Sequence, residues 1–398
     1  MAERTRGAFL WTRILSTPFY VLFTLLPYIL YKDIGASLLQ VTSIIILKPA
    51  VSLIAPYWSV AIYKRPDRIL SNLCWANVLK FLPFLFIPLI DSSEYFTLAS
   101  MIYLILERGV IPAWMELLKL NISGSERVRV FAYSQALDYL GIAFFPLAFG
   151  WLLDLYPGSW RLFFLITAAI GMLSTLVLFR IPKCAADKLP SLLLWKETLI
   201  QPWKQSWELV RTRPDFARFQ LGFMLGGGGL MVLQPALPVF FTDTLNLSYT
   251  ELALALSFCK GIAYALTTPF WVRLFAKLDT FRFLTVVLFL CALFPLILLS
   301  TQYHLSFLWA AYLIYGVMQG GSELAWHLSC LSFSGESDSS PYSQTNVLAQ
   351  GIRGAIIPYL GCCLCQLAGA HVTLLAGTLL CFVAITQTKQ VKVLLTRN

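Results

Sequence analysis

The chain has 398 residues, of which 58% are hydrophobic and only 13% charged, and its net charge is +10. A soluble globular domain carries about 25% charged residues, so this chain lacks the polar surface to face water on all sides, and lipid is the expected solvent for much of it. The basic residues are scattered along loops rather than gathered on one face, which excludes a nucleic-acid surface.

A membrane-spanning helix takes about 20 apolar residues. Apolar runs bounded by turn or charge signals fall at 9–31, 37–62, 69–90, 95–118, 129–153, 160–181, 216–241, 250–275, 283–302, 306–330, 345–368 and 371–388. They predict an all-α polytopic membrane protein of about twelve spans. The run from Phe9 to Tyr31 is too long for a signal-peptide core and reads as the first span. Pro182–Asp215 is the one long polar stretch. It carries Lys183, Lys188, Lys196, Lys204, Arg211 and Arg213, with Trp195, Trp203 and Trp207, which suits a helix at headgroup level. The expected division is a six-helix bundle over 1–182, a linker over 183–215 and a second bundle over 216–398. The nine cysteines lie almost wholly in apolar runs. Cys362, Cys363 and Cys365 read as packing residues, and neither a metal site nor a cofactor is expected.

Orientation follows from the 30 Lys and Arg residues. With the N-terminus in the cytosol, 22 lie on the cytosolic side, two (Lys32 and Arg161) on the other, and six within spans. That bias predicts both termini in the cytosol.

The two halves repeat. Lys48, Pro56-Tyr57-Trp58, Lys64 and Asp67 are echoed by Lys260, Pro269-Phe270-Trp271, Lys277 and Asp279, at an offset of 212 to 213 residues. Tyr103, Trp114 and Ser123-Gly124 are echoed by Tyr312, Trp326 and Ser334-Gly335. Gly141, Pro146 and Gly150 are echoed by Gly354, Pro358 and Gly361. Such a pattern implies two six-helix repeats about an axis along the membrane normal.

With twelve spans, a 6 + 6 repeat and a long central loop, the chain resembles the major facilitator superfamily over nearly its whole length. Gly150-Trp151-Leu152-Leu153-Asp154, Pro157-Gly158-Ser159-Trp160-Arg161 and Phe163 are similar to the family's turn from helix five to six. Tyr312-Leu313-Ile314-Tyr315-Gly316 with Gly320 and Gly321 resembles its tenth helix, and Gly351-Ile352-Arg353-Gly354 with Pro358 and Gly361 its eleventh. There are departures. In the loop after helix two, where the family reads Gly-x-x-x-Asp-Arg-x-Gly-Arg, this chain has Ser59, Tyr63, Lys64, Pro66 and Arg68, so basic residues remain without the acidic gate partner. Arg108 matches the helix-four pattern Arg-x-x-x-Gly, but Pro112 replaces the glycine. Gly141, Pro146 and Gly150 match the antiporter pattern of helix five, but Phe145 and Phe149 replace two of its glycines.

Ionisable residues at mid-membrane cost about 2.5–3.5 kcal/mol each on the insertion scale, so they face protein or water-filled cavities. The spans hold the cations Arg13, Lys48, Lys80, Arg108, Lys260 and Arg353, and the acids Glu107, Glu116, Asp138 and Glu323. Lys48 and Lys260 each lie about ten residues into a span, about 15 Å deep, at matching places in the two halves. Either they meet an anionic substrate at a central cavity, or each pairs with an acid and joins helices. Arg108 with Asp138 is either a proton switch or a permanent pair. Glu107 is expected to meet Lys80 as a structural pair, Arg13 to snorkel, and Glu323 with Arg353 to form an inner gate or to pack. Gly226 to Gly229 read as a hinge or as tight packing. Trp114 and Trp326 wall a cavity or anchor at the interface. Lys64 and Arg68 are candidate gating residues.

These features predict a secondary transporter of a small anionic organic solute working by alternating access, with protons and membrane lipids as further partners and a monomer as the unit. Export of amphipathic compounds by proton antiport is the competing reading within the class. An integral-membrane lipid-modifying enzyme is the reading outside it. His304, His327 and His371 are dispersed, with no nucleophile elbow, and no P-loop is present. Small size and short outer loops suggest a bacterial inner membrane.

Overall fold

The computed structural model describes residues 2–54, 57–58, 68–181, 195–334 and 340–395. The expectations for Pro56, Lys64 and Gly335 fall outside them. The described residues form helices joined by short connections, without strands. In chain order these are α1 (Ala2–Lys32), α2 (Leu38–Ala50), α3 (Ile69–Leu89), α4 (Ser93–Asn121), α5 (Gly124–Leu155) and α6 (Trp160–Leu178). After a connecting helix (Trp195–Thr212) come α7 (Pro214–Thr244), α8 (Tyr249–Lys277), α9 (Thr280–Gln302), α10 (Ser306–Ser334) and α11 (Ser340–Leu395).

By length and apolar composition, eight helical segments among the described residues suffice to cross a membrane, against about twelve expected. One reason is that the last two expected spans run together as α11, which turns at Gly369 with φ 84°, a left-handed conformation that glycine adopts at no steric cost. Another is that, among the described residues, the apolar helix of the second span covers 38–53 and that of the fifth 140–155.

Local chemistry sets several helix starts. Ser92 accepts the Tyr95 amide at 3.3 Å ahead of α4. Ahead of α9, Asp279 accepts from the Arg282 amide at 2.9 Å. Ser248 opens α8 with a reciprocal capping box: its hydroxyl accepts from the Glu251 amide, and the Glu251 carboxylate accepts from the Ser248 amide at 2.9 Å. Asn246, two residues earlier, is left-handed with φ 49°, so Asn246-Leu247-Ser248 serves as a turn into a helix.

Two contact units result: residues 1–36 with 51–199, and residues 37–50 with 200–398. α2 therefore groups with the C-terminal half, which the expected boundaries at 182 and 215 do not anticipate. In the first unit Phe19, fully buried, lies 4.8–5.8 Å from the rings of Phe81, Phe84, Tyr103 and Phe164. In the second, α7, α9 and the last limb of α11 close on Phe219, Leu284, Leu288 and Cys381. Lipid tails are as apolar as these side chains, so close packing rather than escape from water holds the helices together.

Glycine makes that packing possible, and it makes the internal repeat visible. The Trp58 indole lies against Gly109 of α4. Its counterpart Trp271 lies against Gly320 and Gly321 of α10 and donates its Nε1–H to the Val317 carbonyl at 2.7 Å. The run Gly226–Gly229 stays within the regular helix of α7, and Gly226 meets Leu288, Gly227 meets Arg353, and Gly229 meets the Gly377 carbonyl. Of the two readings of this run, the structure shows close packing.

A side chain at Gly316 would collide with the Lys260 backbone carbonyl, whereas one at Gly7 meets nothing within 4 Å. Gly316→Ala is expected to destabilise by about 1–3 kcal/mol, because backbone cannot move aside as a side chain can. Gly7→Ala is expected to be neutral or to stabilise by about 1 kcal/mol through helix propensity. Thermal unfolding in one detergent compares them.

Candidate functional site

The second unit gathers the most chemistry. Lys260 follows directly on a π turn, Leu254–Cys259, a local widening of the helix that often marks functional positions. Its carbonyl abuts Gly316, so α8 and α10 touch backbone to backbone there. Its ammonium stands 5.8 Å from the centre of the Tyr315 ring. One turn on, the Tyr264 hydroxyl donates to a Glu323 carboxylate oxygen at 2.6 Å, and the Gln319 amide donates to the other at 3.3 Å. Glu323 is thus fixed from both helices, and its charge attracts Lys260.

Lys48, in the last turn of α2, is close enough to Lys260 for the two ammonium groups to repel. Contact grouping puts both in the second unit, although sequence position assigned one to each half. α2 reaches this place through α11: Pro49 abuts Gly354, and the Ser43 and Tyr359 hydroxyls lie 3.5 Å apart.

Arg353 on α11 does not pair with Glu323. Its guanidinium lies flat against Gly227, donates to the Phe223 carbonyl at 3.1 Å and sits 5.9 Å from the Phe223 ring centre. The missing side chain at Gly227 leaves the room that this cation fills, so the expected Glu323–Arg353 gate is replaced by a cation laid on a glycine helix. The Arg353 Nε has no hydrogen-bond partner among the described residues. Trp326 of α10 packs on Phe223 at 5.7 Å, which brings it beside this arginine. Trp114 is different: it is 2% exposed and packs edge-on against Phe9 at 5.0 Å. It belongs to the buried core of the first unit.

In the first unit Lys80 and Glu107 form the expected pair at 2.8 Å, with Lys80 only 3% exposed. Asp138 pairs with Arg13 of α1 at 3.6 Å, not with Arg108, and its other oxygen accepts from the Thr17 hydroxyl at 3.4 Å. Arg13 therefore turns inward instead of snorkelling. The reason is that α1 packs along α5, with Gly141 admitting the Thr17 methyl. Arg108 has no ion-pair or hydrogen-bond partner among the described residues. Arg68 stands exposed just ahead of α3, and Lys64 lies outside the described residues. Sequence reasoning missed Tyr264, Tyr315 and Gln319. Their signal is helical spacing: Tyr264 is four residues after Lys260, and Gln319 four before Glu323.

Described residues that are all helical, with several helices long and apolar enough to cross a membrane, define a multi-pass membrane protein. The model of the Major Facilitator Superfamily matches residues 8–358, and the chain belongs to that family. Among solved structures, a POT family transporter in complex with 5-aminolevulinic acid is similar with a TM-score of 0.74 at 13% identity, covering 98% of this chain and 96% of that one. The nucleoside transporter NupG is similar with a TM-score of 0.65 at 12% identity, covering 97% and 98%. A bacterial homolog of the human lysosomal transporter Spinster, inward-facing and unoccupied, gives 0.66 at 13%, covering 97% and 96%. At such identities the likeness is one of fold. No curated protein sequence matches the chain.

Lys80→Met is expected to cost about 3 kcal/mol, because it strands the Glu107 charge in the interior. Lys80→Met with Glu107→Gln is expected to recover most of that loss. Denaturation of the three proteins in the same detergent measures both.

Proposed function

We propose that this chain moves a small anionic organic solute across a membrane by alternating access, coupled to protons. The observation that carries the reading is the placement of Lys48 and Lys260 in one contact unit of apolar helices, where their like charges oppose each other and Glu323 is the carboxylate that attracts Lys260. Two ammonium groups in low dielectric destabilise each other, and an anion between them relieves both. Tyr315 supplies an aromatic wall beside Lys260. Glu323 holds Lys260 while the site is empty and gives it up when substrate enters.

The working unit in this proposal is a monomer in a bacterial inner membrane with both termini cytosolic. Its moving bodies are residues 1–182 and 216–398, joined by 183–215. Export of amphipathic compounds is the second reading, and the partial antiporter pattern Gly141, Pro146 and Gly150 favours it.

The test is uptake into liposomes and thermal shift of purified protein with anionic metabolites, against neutral and cationic amphiphiles. Native protein is expected to take up or be stabilised by an organic anion, and Lys48→Ala and Lys260→Ala to lose that response while still folding. A response confined to cationic or neutral amphiphiles and unchanged in both variants would make the lysines structural and the chain an exporter.

A further inference from the structure

Two ion pairs share the interior of the first unit, and they differ in kind. Lys80 and Glu107 are in tight contact at 2.8 Å, with their side chains 3% and 29% exposed. Arg13 and Asp138 stand 3.6 Å apart, with their side chains 27% and 22% exposed. Among the described residues the other donor to Asp138 is the Thr17 hydroxyl at 3.4 Å, and that hydroxyl also donates to the Arg13 carbonyl at 2.8 Å. One hydroxyl proton cannot serve both acceptors fully, so the Asp138 bond is the weaker share. Among the described residues the groups facing Asp138 are Arg13 and Thr17 from α1 and Glu107 from α4, and Glu107 is engaged by Lys80 and also attracted by Arg13.

We propose that Asp138 is the group that carries the coupled proton, with Arg13 as the cation that answers it when ionised and Lys80–Glu107 as a fixed joint. This rests on the proton-coupled reading above. A proton arriving from water on one side of the membrane binds a carboxylate oxygen of Asp138, which becomes a neutral acid and releases Arg13. On the other side the proton leaves to water, and the carboxylate re-forms its pair with Arg13. No other bond is made or broken. The same event at Glu107 would strand the Lys80 ammonium, which has almost no access to water, whereas Arg13 is open enough to be solvated while its partner is neutral. Glu323 is the competing span carboxylate. It is held by two donors and attracts Lys260, so its protonation would add to the positive charge around Lys48 and Lys260 just when no anion is there to balance it.

Infrared difference spectra of the purified protein reconstituted in lipid test this without any substrate, through the carbonyl stretch of protonated carboxyl groups as pH is lowered. Each variant is compared with native protein, so that surface carboxylates cancel. Asp138→Asn is expected to lose one titrating band. Arg13→Gln is expected to move the midpoint of that band, and Glu107→Gln and Glu323→Gln to keep it. Survival of every native band in Asp138→Asn, or loss of the buried band in Glu107→Gln or Glu323→Gln instead, overturns the assignment. If Asp138→Asn fails to fold, Asp138→Glu decides: a band with altered frequency and midpoint supports the proposal, and an unaltered one sinks it. Failure here leaves the anion reading to its own uptake test.

Discussion

A charge inside hydrocarbon has to be answered by another part of the same protein or by trapped water, and much of this structure follows from how each charge is answered. Lys80 is matched to Glu107 so closely that the pair works as a strut between α3 and α4. Arg13 and Asp138 join α1 to α5 more loosely. Lys260 is shared between an attracting Glu323 and a repelling Lys48, without a closed ion pair of its own among the described residues. Arg353 is answered by a backbone carbonyl and an aromatic face, at the one helix whose run of glycines leaves room for it. The same chain thus holds both closed and open charge arrangements, and the open ones are where chemistry can occur.

Close approach of backbones is the second requirement, since packing alone holds helices together in lipid. Gly316 against the Lys260 carbonyl and Gly354 against Pro49 set the distances that place both lysines. The two tryptophans at matching places in the repeat, Trp58 and Trp271, each rest on glycine of the helix two spans further on. An indole on any larger residue would force the helices apart. The charges differ: among the described residues, Arg13–Asp138 and Lys80–Glu107 have no ion-pair counterparts around Lys260 and Arg353.

Much of the fold was legible in the sequence. Length, hydropathy and a repeat at a constant offset gave a multi-pass helical transporter, because the requirement that every backbone group in lipid be bonded within its own helix leaves few other solutions. The Lys80–Glu107 pair was also legible, since both lie in neighbouring apolar helices and neither tolerates isolation. The partners of Asp138, Glu323 and Arg353 were not. Each depends on the rotation of one helix against another, and on glycines whose close approach brings Thr17, Tyr264 or Phe223 within reach. Periodicity fixes which residues share a helix face but not which neighbour that face meets, so the sequence by itself determined the class of protein and its buried charges, and only the tertiary structure decided which charge answers which.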